Sequence, residues 1–262
     1  MADILLSAFV LSVVLLGIHS FFGLEIIRRG IIFTDLAIGQ MSALGAALSI
    51  LFLDGKYLYP VSLAFALLAG LVIALASKRT SSHEAFIGLL YAFGISGVFI
   101  VLSKSAHGTE MFDKLMASDI LFTPWSDIIE TGIVYTLLGL ILVFVYPRMK
   151  GFWKDTLFFV SFAATVTSSV RLAGVLIVFS LLVAPAFIAI RLNKWKILMV
   201  AWIVGTAVNL LSIIVSYNLD LPTGYTLVFF HALLALIVAF ALPVAKKTGQ
   251  EASSKGDARE IV

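Results

Sequence analysis

Few side chains in this sequence could do chemistry, and those few interrupt apolar runs. Asp35 and Gln40 stand inside the otherwise apolar stretch that follows Arg28 and Arg29. A carboxylate within a membrane crossing costs ~2.5–3.5 kcal/mol on insertion scales, so it normally faces a cavity, a partner or a polar path. Helical steps of four, seven, eight and eleven from Asp35 reach Gly39, Ser42, Ala43 and Ala46, all small. That face can let another helix approach closely or leave room for a solute. Two plainer readings stand beside it: Asp35 as an acid near a helix start within reach of water and the arginine pair, and Gln40 as an interhelical hydrogen bond. His19 lies in the first apolar run and His231 in the last. Imidazole is a common ligand for zinc-like ions and suits manganese or iron, although each histidine also reads as a hydrogen-bonded core residue. There is no cysteine, no His-x-x-x-His and no Glu-x-x-His, so a metal would meet oxygen, imidazole or thioether donors rather than a tight cage. Asn209 reads as helix glue, Glu25 as an ion-pair partner of Arg29 four residues on, and Glu84 as one half of a capping box with Ser81. No phosphate-binding Gly-x-x-x-x-Gly-Lys-Ser/Thr loop occurs, so this chain is not expected to hydrolyse ATP, and isolated candidates do not make an intramembrane enzyme.

The elements that must position these residues are membrane helices. Of 262 residues, 61% are hydrophobic and 13% charged, with a mean hydropathy of +1.10, which marks an all-α polytopic membrane protein. Crossings are expected at about 5–27, 31–53, 57–77, 84–103, 127–147, 196–217 and 222–243. The run 156–192 is too long for one and is expected to break near Ser168, Ser169 and Arg171 into two short or bent helices, making eight or nine crossings. With nine, fourteen Lys and Arg fall on one side and only Lys56, Lys104, Lys114 and Arg171 on the other. The excess marks the cytoplasmic side and puts the N-terminus outside. No basic region precedes the first apolar run, so that helix is expected to stay rather than be cleaved. The net charge of +3 then needs no nucleic-acid partner. Residues 1–245 read as the membrane domain and 246–262 as a disordered cytoplasmic tail, while 104–126 read as an outer segment lying at the interface. Pro185 is expected to break its helix and to be followed by a short amphipathic cytoplasmic helix suited to docking.

Four stretches, in this order and spacing, resemble the permease subunits of manganese, zinc and iron ABC importers. They are "GLEIIRRGIIFTDLAIGQMSALGAAL", "SHEAFIGLLYAFGISGVFIVLS", "VRLAGVLIVFSLLVAPAFIAIRL" and "YNLDLPTGYTLVFFHALLAL". The resemblance implies a permease of the type II importer kind in a multi-pass plasma (inner) membrane location. It further implies a homodimer with a central path, a separate ATPase inside, an extracytoplasmic metal-binding protein outside, and a divalent metal ion as cargo rather than cofactor. It assigns ATPase coupling to the region of Pro185, Ala186, Arg191 and Lys194. Members of that family typically carry Gly-Asp-Ala-Leu-Ser-His early, with acid and histidine four apart. Here Asp35 stands one place early and Gln40 takes the histidine's position, ~500° of helical rotation apart, so the two point ~140° away from each other. The path candidates are therefore Asp35 and Gln40 with His19 and His231, of which Asp35 and His19 are the metal candidates. A permease for a siderophore, haem or cobalamin-like chelate is the alternative, and an ion-gradient-driven transporter a more distant one.

Overall fold

A long apolar run in hydrocarbon must satisfy its own backbone, and an α-helix does so within one segment. The structure, a computed structural model, describes residues 2–76, 82–104, 120–192 and 196–241. Among these are nine helices long and apolar enough to cross a bilayer. In chain order they are α1 (Ala2–Arg29), α2 (Thr34–Leu53), α3 (Leu58–Ala76), α4 (His83–Leu102), α5 (Trp125–Phe144), α6 (Gly151–Ala173), α7 (Val175–Leu192), α8 (Ile197–Leu219) and α9 (Thr223–Ala241). Short 3-10 turns at Ile120–Phe122 and Tyr146–Arg148 flank α5. The expected interfacial segment is described only at its two ends, and the expected tail, 246–262, lies outside the described residues.

Side-chain contacts show how the helices alternate. At one end Arg29 donates to Asp155 (2.9 Å) and to the Tyr146 hydroxyl (2.8 Å), joining the last residue of α1 to the α5–α6 connection. At the opposite end Thr123 donates to the Leu172 carbonyl (3.2 Å), and the Arg171 guanidinium lies 5.0 Å from the Tyr59 ring. The Ser216 and Thr223 hydroxyls, 2.7 Å apart, close the α8–α9 hairpin there as well. Arg28, Arg29, Arg148, Lys150, Lys154 and Lys196 thus share one end of the bundle, as the charge partition predicts.

Two expectations about 156–192 need correction. The chain does divide into two helices, but at Gly174 (φ 84°) rather than near Ser168, Ser169 and Arg171. Ser168 stays helical by bonding the carbonyls of Ala164 and Thr165, and Arg171 occupies the last turn, where a cation suits the helix dipole. Glycine alone takes the positive φ of the turn without strain. Pro185 does not break its helix either: α7 runs through it to Leu192, with Ala184, Pro185 and Ala186 all buried. Proline removes one hydrogen bond, and within a bundle flanking helices tolerate that loss. The separate docking helix is therefore replaced, as far as Leu192, by a continuation of the crossing.

α2 is the most enclosed element near the site. It packs on α3, α4 and α6, and residues from Thr34 to Ser49 are buried on almost every side. Its neighbours come close because glycines face them. A β-carbon on Gly45 would lie 2.7 Å from the Val61 carbonyl of α3, and one on Gly70 would lie 2.8 Å from the Phe159 carbonyl of α6. Backbone cannot yield as a flexible side chain can. Gly45→Val and Gly70→Val are expected to lower the melting temperature in detergent by the equivalent of ~1–3 kcal/mol. Gly139→Val, where nothing lies within 4 Å, should leave it unchanged; equal melting of all three would show that the α2–α3–α6 contacts are not tight.

Candidate functional site

The centre of the candidate site is the first half of α2. Phe33 precedes the helix without a side-chain cap, and the Thr34 hydroxyl turns back to the Ile31 carbonyl at 2.7 Å. Asp35 therefore enters in the first turn, where unpaired backbone N–H groups favour an anion. It is 1% exposed and Gln40 is 2% exposed. Asp35 Oδ1 and Gln40 Oε1 have no hydrogen-bond partner among the described residues, and no ion pair engages Asp35 there. A buried polar atom without a partner is costly and calls for an explanation, a bound water or ion among them.

The helical rotation points the two side chains apart. Gln40 meets α4 at Gly94, where a β-carbon would come within 3.0 Å of Gln40 Cβ. Gly39, one turn beyond Asp35, lies against Val175 at the start of α7. At Gly39, then, the small face is used for close helix approach. Both polar groups lie inside a single protomer and not on a surface that a second copy would cover.

His19 is placed elsewhere. α1 packs mainly on α7, α8 and α5, and shares no substantial interface with α2. The His19 ring, fully buried, lies 6.4 Å from the Tyr135 ring of α5. Neither of its nitrogens makes a hydrogen bond of good geometry; the Leu15 carbonyl one turn back only grazes the ring. Tyr135 is the hub of this region. Its hydroxyl lies 3.0 Å from the Thr165 carbonyl, 2.7 Å from the Ser168 hydroxyl and 2.5 Å from that of Ser169. His231 belongs to a third place, on α9 against α7 and α8, with Nδ1 3.0 Å from the Leu227 carbonyl and Nε2 unpartnered. Asn209, buried on α8, has neither amide atom paired. The four path candidates thus fall into three regions. Among the described residues no group of three or more His, Asp or Glu is close enough to hold an ion.

At the basic end a cleft of about 210 Å³ opens beside the start of α2, lined by Arg29, Ile31, Ile73, His83, Phe86 and Ile87 among others. Ile31 lies one turn of chain before Asp35. Arg29, at its rim, is held by Asp155 and stacks 4.4 Å from the centre of the Phe158 ring. The pairing read from the sequence, Glu25 with Arg29, is present at 3.8 Å but is the looser contact. Asp155 is 126 residues away and carried no local signal. Tyr135 and its serines were missed too, though the hydroxyl run Thr165, Thr167, Ser168 and Ser169 within an apolar stretch was the available cue. α4 starts after Ser82, and the expected capping box of Glu84 falls on Ser81, which lies outside the described residues. Of the coupling candidates, Pro185 and Ala186 face the bundle interior and Arg191 rests 5.2 Å from the centre of the Phe187 ring. Lys194 lies outside the described residues.

Comparison with known proteins places this arrangement. The model of the ABC 3 transport family matches residues 1–242. A metal transport system membrane protein of Thermotoga maritima is 28% identical over 79% of this chain and 78% of its own. An iron transport system membrane protein of Haemophilus influenzae is 26% identical over 92% and 91%. The manganese import system permease protein ScaB of Streptococcus parasanguinis is 21% identical over 88% of each. Among solved structures, PsaBC from Streptococcus pneumoniae in complex with a Fab superposes with a TM-score of 0.70 at 22% identity, covering 92% of both chains. A metal-chelate type ABC transporter in an inward-facing conformation gives 0.66 at 17% identity, over 89% and 85%. These likenesses carry the fold.

The Tyr135 hub generates its own test. Tyr135→Phe removes one hydroxyl and strands the partners on α6, which should destabilise by about 1–3 kcal/mol as read by thermal melting in detergent. An unchanged melting temperature would mean that the three contacts contribute nothing net.

Proposed function

Since the chain belongs to the ABC 3 transport family, we propose that it is the permease subunit of an ABC importer and that it moves a divalent metal ion along a route through α2. The observation that carries this reading is the pair of enclosed, unpartnered polar atoms, Asp35 Oδ1 and Gln40 Oε1, on the most deeply packed helix near the basic end. A carboxylate oxygen and an amide oxygen are donors suited to manganese and also acceptable to zinc or iron. Few ligands make weak binding, which a passing ion needs in order to leave. Enclosure to 1% and 2% exposure suits a small ion better than a chelate. The chelate reading keeps one point in its favour, the likeness to a metal-chelate type transporter.

The mechanism follows from what the chain has and lacks. ATP is hydrolysed by a separate subunit, because no phosphate-binding loop is present. That subunit docks on the basic, cytoplasmic end, near Arg191 in the last turn of α7 and the connection to α8 that carries Lys194, while a metal-binding protein delivers the ion at the opposite, outer end. Nucleotide-driven movement shifts α7 and α4 against α2 at Gly39 and Gly94, where bare backbone lets the helices slide. Asp35 then exchanges its enclosed state for contact with the ion, which leaves through the cleft beside Ile31 and His83. Two copies of the chain form the complete permease, each with its own α2.

Metal uptake into proteoliposomes holding the permease, its ATPase and its binding protein tests the route. Asp35→Asn should reduce the initial rate of manganese or zinc uptake by at least about tenfold, with the ATPase still co-purifying, since of the proposed pair Asp35 and Gln40 only the carboxylate carries charge. Wild-type uptake in this variant would remove Asp35 from the path. Uptake of haem or a ferric siderophore in place of the free ion would transfer the reading to a chelate. Arg191→Glu should leave ATP hydrolysis running while uptake falls; if hydrolysis and uptake stay in their normal ratio, docking lies elsewhere.

A further inference from the structure

A groove of about 350 Å³ lies at the basic end between the last turns of α1 and the first turn of α8. Its walls are Phe21, Leu24, Ile197, Leu198 and Met199, and its rim carries Glu25, Arg28 and Lys196. The rim is not electrically balanced. Glu25 is shared between Arg28 at 3.4 Å, Arg29 at 3.8 Å and the Tyr146 hydroxyl at 3.1 Å. Arg29 is in turn matched by Asp155. Arg28 remains 56% exposed at its side chain, and no ion pair engages Lys196 among the described residues. Among the described residues Arg28, Arg29, Lys196 and, over the Tyr146 ring at 4.6 Å, Lys154 stand against Glu25 and Asp155, so the excess is positive, the sign that attracts an anionic headgroup.

Beyond the groove the α1–α8 seam runs on to Gly17 and Trp202. Gly17, one turn before Phe21, leaves the seam open: a β-carbon there would meet nothing within 4 Å. Opposite it, Trp202 lies one turn beyond Leu198, 41% exposed, and its indole N–H donates to the Gly17 carbonyl at 3.0 Å. A charged mouth thus opens onto an apolar track walled by an exposed indole. A free anion would use only the mouth, and a neutral lipid would gain nothing from it.

We infer that this groove binds one anionic phospholipid, its phosphate between Arg28 and Lys196 and one acyl chain lying along Met199, Trp202 and Gly17. The site uses no residue of α2 and needs no metal, and it meets the transport reading only at Lys196, which ends the α7–α8 connection near which the ATPase is proposed to dock. Two features of the molecule are matched at once, a phosphate charge by the cationic rim and a chain by the seam. The indole supplies its own reporter.

The test uses the purified full chain in mixed micelles with phosphatidylglycerol or phosphatidylcholine brominated on the acyl chains. The share of quenching that comes from Trp202 is the difference between wild type and Trp202→Phe. Brominated phosphatidylglycerol should quench Trp202 at a several-fold lower mole fraction than brominated phosphatidylcholine. Arg28→Gln with Lys196→Gln should weaken that preference by roughly fivefold for each cation removed. Gly17→Leu fills the open track without touching the rim, so it should reduce quenching by both lipids at an unchanged melting temperature. It serves as the deciding variant if the double change unfolds the protein. Excess inorganic phosphate should not displace the lipid. Equal quenching by the two lipids, displacement by phosphate, or wild-type quenching in Gly17→Leu would each overturn the site.

Discussion

The arrangement of the whole bundle turns on keeping a carboxylate and an amide away from hydrocarbon without pairing them to a cation. Asp35 and Gln40 lie on a helix that would otherwise be indistinguishable from a lipid-facing span. Enclosure by α3, α4 and α6 removes them from lipid, and that enclosure demands close helix approach. Gly45, Gly94 and Gly70 supply it, each at a point where a β-carbon would meet backbone or a side chain at about contact distance or less. The outer helices can then be plain apolar cylinders: α5 and α9 expose Ile133, Leu137, Phe229 and Leu236 to whatever surrounds the bundle. Polarity is inside and apolar bulk outside, the reverse of a water-soluble fold.

A second constraint holds the basic end. Arg29 closes α1 onto the α5–α6 connection by bonds to Asp155 and Tyr146 and by its position over Phe158. Because these groups are half-buried, the pairing is screened less than a surface ion pair would be. The phenylalanines behind it, Phe22, Phe158 and Phe162, pack at ring separations of 5.0 to 6.0 Å and make a rigid wedge between α1 and α6. Phe159, edge-on to Phe158 at 5.1 Å, and Arg29 form one side of the cleft beside α2.

The sequence was most informative where physics is local. Length and hydropathy located the crossings within a few residues, and the split of 156–192 was needed for the basic residues to collect at one end. Its position was misread because two serines and an arginine look like a break, whereas hydroxyls that bond their own helix carbonyls are at home in a membrane helix. The proline rule failed at Pro185 for a related reason: it describes helices in water, and α7 is flanked by α1, α8 and α9. Of the site, Asp35 and Gln40 were legible because a polar residue in an apolar run is conspicuous. That His19 turns toward Tyr135 and away from α2, and that Arg29 prefers Asp155 to Glu25, depend on contacts between distant segments. No spacing within one helix encodes them.

The sparse ligand set is itself an argument about what the site does. A protein that stores or uses a metal surrounds it with three or four donors, because each added ligand lowers the free energy of the bound state. A conduit needs the opposite, a station whose depth does not exceed what a conformational step can empty. One carboxylate oxygen and one amide oxygen on opposite sides of a single helix cannot close around an ion together without movement of their neighbours. On the proposed route each would hold an ion only in passing, Gln40 beside α4 at Gly94 and Asp35 one turn before the α7 contact of Gly39. On that route the rotation that spoils a fixed binding site would separate two access states, and separation of access is what distinguishes a transporter from a pore.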